Sequence, residues 1–167
     1  MFTQGTFDYM AVEVHSEDYL FIPDQKIKAH DPIPQRPFRY NPLHDIESTW
    51  WVAVRTLLGN RPKEDKSDSS QQKNAVKKLF PGSSSRAIMR LQVLRSSHTF
   101  LSYLKNIPPD FDPLWRLLEE QRFNLREAYE KAEQQYPLHS ESFGIHDSIH
   151  PLFEKMSNGE SYTLSPL

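Results

Sequence analysis

The densest apolar pattern lies between Asn41 and Leu58. There Ile46, Trp50, Ala53, Val54, Leu57 and Leu58 form a helical stripe, and Trp51 and Val52 add apolar mass on the opposite side. A helix apolar on nearly every side is a buried one, so this segment is predicted to be the rod around which the chain folds. Asn41-Pro42 supplies an N-cap and a first helical position that needs no N–H, and Asp45 offers a second carboxyl cap. Gly59-Asn60-Arg61-Pro62 supplies a left-handed terminator and a proline stop.

Weaker stripes flank the rod. A short helix is predicted within Asp8 to His15, after which Pro23, Pro32, Pro34 and Pro37 forbid a long regular helix between Asp24 and Arg39. Lys63 to Lys73 is charged and polar without an apolar anchor, the composition of a solvated loop. Ala75, Val76, Leu79 and Phe80 predict a helix that stops at Pro81-Gly82. One longer helix is predicted from Ser84 to Lys105, with Ile88, Leu91, Leu94, Leu101 and Leu104 on its stripe and His98 on the apolar side. Asp110 or Asp112 can cap the next, which runs from Pro113 to Gln135 on Leu114, Leu117, Leu118, Leu125, Tyr129 and Ala132. A last helix is predicted from His146 to Met156, bent or begun by Pro151, and the tail 158–167 is expected to be disordered. No strand alternation and no internal repeat is present, so the predicted fold class is mainly α.

Composition narrows the function. With 167 residues, 37% of them apolar, the chain can form one domain or one lobe with a real core. Cysteine is absent, which excludes disulfides and thiolate metal sites and favours an intracellular location, cytoplasmic or nuclear. A net charge of −2 gives no basic field for nucleic acid or an anionic membrane. The longest apolar run, Trp50 to Val54, is far short of the roughly 20 residues that cross a bilayer. Trp50 and Trp51 are expected in the core rather than as a ligand platform. His146 and His150 stand at i,i+4 near His139, but a third ligand is not assured and Pro151 disturbs the helix, so no metal site is predicted. Thr3, Thr6 and Tyr9 are potential phosphoacceptors by position alone.

Two stretches carry a more specific signal. Gly5-Thr6-Phe7-Asp8-Tyr9-Met10-Ala11-Val12-Glu13 resembles the end of the protein-kinase activation segment, Gly-Thr-x-x-Tyr-Met-Ala-Pro-Glu, with Val12 where proline is usual. Asp45-Ile46-Glu47-Ser48 resembles the Asp-x-Trp-Ser start of the buried helix at the centre of the kinase C-lobe, with Glu47 in place of the tryptophan. His-Asp-Ile-Glu-Ser followed by paired aromatics is similar to the fungal-type protein kinase family. The resemblance implies a helical C-lobe over residues 1–157, with a proline-rich insertion at 23–40 and a flexible loop at 60–73. It gives Gly5 and Thr6 a place in the substrate loop and makes Asp45 the anchor that accepts backbone N–H groups of the catalytic loop. Glu13 becomes half of a structural ion pair, with Arg86, Arg116, Arg122 and Arg126 as candidate partners.

The family activity is ATP-dependent phosphorylation of protein Ser/Thr, with ATP and Mg as cofactors. The glycine-rich loop, the lysine, His-Arg-Asp and Asp-Phe-Gly that this chemistry requires all precede the activation segment, and none occurs in this chain. No catalytic, cofactor-binding or metal-ligating residue is therefore expected here, and the chain alone is expected to be inactive. A protein substrate or partner protein, and self-association through an exposed C-lobe face, are the interactions the resemblance implies. The competing reading is an all-helical protein–protein interaction module without kinase ancestry. A histidine metal enzyme is the remaining alternative, and stoichiometric zinc, iron or manganese would mark it.

Overall fold

The computed structural model describes residues 7–21, 37–62, 69–82, 87–105, 107–134, 154 and 164–166. The described part is mainly helical: α1 Val12–Ser16, α2 Pro42–Gly59, α3 Ser70–Leu79, α4 Ala87–Arg95, α5 Ser97–Leu104 and α6 Asp112–Gln134. A 3-10 turn, Phe7–Tyr9, precedes α1, so the single short helix predicted within Asp8 to His15 is divided at Met10-Ala11. The predicted helix over His146–Met156, His139, and Gly5 and Thr6 lie outside the described residues, Glu154 excepted.

Helix α2 begins as its sequence dictates. Asn41 is extended (φ −141°), its Oδ1 accepts the Leu43 N–H at 2.9 Å, and Pro42 follows in the first turn. His44 completes a capping box, its Nδ1 accepting the Asn41 N–H at 3.1 Å where Glu or Gln usually stands. The other end differs from expectation. Gly59 is not a left-handed terminator, because the chain passes directly into extended backbone at Asn60 (φ −133°) and forms β1, Asn60–Pro62. That strand pairs antiparallel with β2, Leu164–Pro166, setting Arg61 opposite Ser165. Residues 60–62 at one end and 70–73, the first turn of α3, at the other thus leave the predicted loop, and residues 164–166 leave the predicted disordered tail. Strands of three residues are too short for alternation to reveal.

The core gathers around α2. Trp50 and Trp51 meet edge to face with ring centroids 4.7 Å apart; Trp50 packs on Phe100 and donates its indole N–H to the Leu118 carbonyl at 2.9 Å. Trp51 meets Phe80 edge on. Along α6, Leu118, Leu125, Tyr129 and Ala132 are buried, while α3 contributes Ala75 and Leu79. Burial of α2 stops short of complete: Asp45, Thr49, Val52 and Thr56 form an exposed face, with Val52 46% exposed.

The long helix predicted from Ser84 to Lys105 is two helices. Ser96 is extended and caps α5, its Oγ accepting the Thr99 N–H at 3.2 Å. The carbonyls freed at the end of α4 are taken by arginines of α6. Arg122, fully buried, donates to the Leu94 carbonyl and, at 2.6 Å, to Ser97 Oγ; Arg126 donates to the Arg95 carbonyl at 3.4 Å. The break rotates the second half of the stripe. Val93, Leu94, Phe100 and Leu104 are buried, whereas Ile88, Leu101 and His98 are exposed. Among the described residues no helix is long and apolar enough to cross a membrane.

Candidate functional site

Polar residues on the core-facing side of α2 build a buried cluster. His44, Glu47 and Trp51 fall on one helical face, and both His44 and Glu47 are fully buried. Glu47 Oε1 accepts the Val12 N–H at 2.9 Å and the Trp51 indole N–H at 2.8 Å, and Oε2 accepts the Tyr129 hydroxyl at 2.8 Å. Burial raises its pKa, opposed first by the nearby positive charge of Arg90. The Arg90 guanidinium lies 4.4 Å from the Trp51 ring centroid and donates to the Met10 carbonyl. Burial in turn lowers the Arg90 pKa, and Glu47 and Asp8 oppose that shift.

Glu13 anchors the other side. Its Oε1 accepts the Leu20 N–H at 2.8 Å and its Oε2 lies 3.1 Å from His44 Nε2. Glu133, from the end of α6, accepts the Phe21 N–H through both oxygens at 2.9 and 3.0 Å, and is also hydrogen-bonded to Glu13. Two carboxyl groups can hydrogen-bond only when one keeps a proton. That bond favours an ionised Glu13 with the proton on Glu133, but burial first, and then the charges of Glu47 and Asp18, outweigh it and the bond from Leu20, and the Glu13 pKa is pushed up to about 7.

The protonation of His44 follows from its cap. Because Nδ1 accepts the Asn41 N–H, it carries no proton, and the neutral ring holds its hydrogen on Nε2, aimed at Glu13. Asn41 Nδ2, 3.2 Å from that same nitrogen, meets a donor and forms no hydrogen bond with it. An imidazolium would break the capping box. Burial lowers the His44 pKa to about 4, against the carboxylate charges of Glu47, Asp45 and Glu133. The close His44–Glu13 contact is therefore a neutral hydrogen bond rather than an ion pair.

Together these groups fasten the segment from Met10 to Phe21 onto α2, α4 and α6. Arg95 adds a bond to the Leu20 carbonyl, and Phe21 stacks on Tyr129 at 4.5 Å with the rings 5° from parallel. Every member except the exposed Arg95 is shielded from solvent, so the arrangement can hold backbone and protons but presents no reacting group to a substrate. Among the described residues no group of three or more His, Asp or Glu is arranged to hold a metal ion.

Of the residues singled out by sequence, Glu13 sits inside this cluster and Asp45 outside it. Glu13 meets His44, Leu20 and Glu133 in place of an arginine. Arg122 and Arg126 are engaged with Glu119 and Glu130, Arg116 lies over Trp115, and Arg86 is outside the described residues. Asp45 is exposed on the first turn of α2, where it accepts a hydrogen bond from the half-exposed Tyr40 hydroxyl. Sequence reasoning missed His44, Arg90, Tyr129 and Glu133 as members. The readable signal was a histidine and a glutamate on the same face as Trp51, polar residues where the helical period calls for apolar ones.

The two departures from the kinase-like wording meet in space. Proline in the place of Val12 would have no N–H, and tryptophan in the place of Glu47 would have no acceptor; Val12 and Glu47 form the hydrogen bond that those residues could not. Compared with known proteins, the chain matches no family model, no curated protein and no solved structure.

Proposed function

We propose that this chain is a C-lobe of the fungal-type protein kinase kind, serving as a protein-binding platform that performs no phosphoryl transfer by itself. The observation that carries the reading is the contact between its two motif-like stretches. Glu13 and Val12 of the first lie against His44 and Glu47 of the second, and the two atypical residues complement one another. A buried, tryptophan-rich rod is the core such a lobe needs. On its exposed face stand Asp45 and, two turns on, Val52, available to a segment supplied from elsewhere.

The test is fragment complementation. The chain is mixed with a fungal-type kinase fragment running from the N-lobe through the catalytic loop, with ATP, Mg and a Ser/Thr peptide. Association and phosphate transfer are expected, and both should be lost in Asp45→Ala, which is exposed and can be replaced without disturbing the core. Failure to associate at tens of micromolar, roughly −6 kcal/mol, would reject the reading, as would ATP binding by the chain alone. Retained association in Asp45→Ala would favour the plain helical interaction module.

A further inference from the structure

A crevice of about 320 Å³ opens between α3 and α5 and shares no residue with the buried cluster. Its α3 wall is Gln71, Asn74, Ala75 and Lys78, spaced so that they share one helical face; Ser102 and Tyr103 of α5 form the other wall. No carboxylate lines it. Helix α3 also carries Lys73 and Lys77 and contains no acidic residue, nor does α5, which Lys105 follows. Lys73 and Lys77 point round the helix from the crevice, so Lys78 is the charged side chain in its lining and makes the crevice locally positive on a chain with net charge −2. The side chains of Gln71, Asn74 and Lys78 are exposed and carry no hydrogen bond or ion pair among the described residues. The Ser102 hydroxyl gives its proton to the Thr99 carbonyl at 2.7 Å, which leaves its lone pairs as an acceptor.

We propose that this crevice binds an acidic peptide segment. Lys78 and the amides of Gln71 and Asn74 take a Glu or Asp carboxylate, and Ser102 Oγ accepts an adjacent backbone N–H. The volume holds one or two side chains, which suits a short peptide better than a continuous polyanion. The inference stands independently of kinase descent.

Fluorescence anisotropy of a labelled peptide of alternating Glu and Ala, titrated with the full chain, provides the test, with a Gln/Ala peptide as control. Binding should weaken about tenfold when salt is raised from about 0.05 M to about 0.3 M. Lys78→Glu should weaken it by about tenfold or more, whereas Lys77→Glu, on the same helix but outside the crevice, should change it less than about threefold. Equal binding of the Gln/Ala peptide, equal loss in both variants, or no binding at about 1 mM would overturn the proposal. Displacement of the peptide by an equal concentration of inorganic phosphate would reassign the crevice as a lone-anion site and also overturn it.

Discussion

Replacing His44 by Gln tests whether the His44–Glu13 contact is neutral, because the two possibilities give stability profiles of opposite sign. Gln is the usual residue at this position of a capping box, so the Asn41 N–H keeps an acceptor while the titrating ring is removed. In the native protein the His44 pKa is lowered from 6.5 to about 4. Between those values the unfolded chain binds a proton that the native one does not, so stability rises with pH. One full proton corresponds to about 1.4 kcal/mol per pH unit, so the contribution present above pH 6.5 and lost as pH falls through 4 is roughly 3 kcal/mol. Glu13 acts in the reverse sense. Its pKa is raised from 4.5 to about 7, so its contribution is complete below 4.5 and disappears as pH rises through 7. From 4.5 to 6.5 the two slopes cancel in the native protein, and His44→Gln unmasks the falling one. Urea unfolding followed by tryptophan fluorescence at pH steps from 4 to 8 gives both curves, and their difference removes every group they share. The native-minus-variant difference should climb by roughly 3 kcal/mol between pH 4 and 6.5. A difference that declines with pH would mean that His44 is charged beside Glu13, and a flat one that it titrates normally; either refutes a ring held neutral by burial.

Three further substitutions probe the core. Among the described residues neither buried side-chain polar atom of Gln121 has a hydrogen-bond partner, so Gln121→Met should stabilise by about 1–2 kcal/mol, read as a higher urea midpoint at unchanged slope. Arg122→Met removes the donor that Leu94 and Ser97 share and strands the Glu119 carboxylate; a loss of about 3 kcal/mol is expected, with faster amide exchange where α4 meets α5. Val12→Pro is sterically permitted, since Val12 is the first residue of α1 and Ala11 is already extended at ψ 145°. It deletes the donor to Glu47 and should lower stability by about 1.5–3 kcal/mol, an effect that shrinks in a Glu47→Gln background when measured as a double-mutant cycle.

The parts of this fold written locally were the legible ones. Asn41-Pro42 opens α2 as its capping chemistry requires, and the stripe of α6 buries at Leu118, Leu125, Tyr129 and Ala132. The errors fall where distant residues decide. Ser96 follows nine residues of uninterrupted helical pattern, and the chain breaks there because arginines of α6 take the freed carbonyls, a partnership no window around Ser96 contains. Gly59 does not terminate α2 in the left-handed region because β2, far along the chain, draws Asn60 into a ladder. The site was half legible. Glu13 was found through its motif, whereas Glu133 lies among charged residues of α6 and becomes a member only because Phe21, 112 positions earlier, needs an acceptor.

The buried cluster is better understood as a device for specificity than for stability. Desolvating Glu13, Glu47, Glu133 and Arg90 consumes much of what their contacts return, and apolar residues of the same volume could hold the helices together as firmly. Apolar contact, however, has no direction. The segment from Met10 to Phe21 carries few large side chains with which to select a single position, and a flat apolar bed would accept it in several registers. Each polar partner instead addresses one named backbone atom: Glu47 the Val12 N–H, Glu13 the Leu20 N–H, Glu133 the Phe21 N–H, Arg90 the Met10 carbonyl and Arg95 the Leu20 carbonyl. A shift by one residue would leave several buried donors and acceptors unpaired at once, at a cost of about 1–3 kcal/mol each. The same residues that present no reacting group to a substrate thus fix where this segment must lie against α2, α4 and α6.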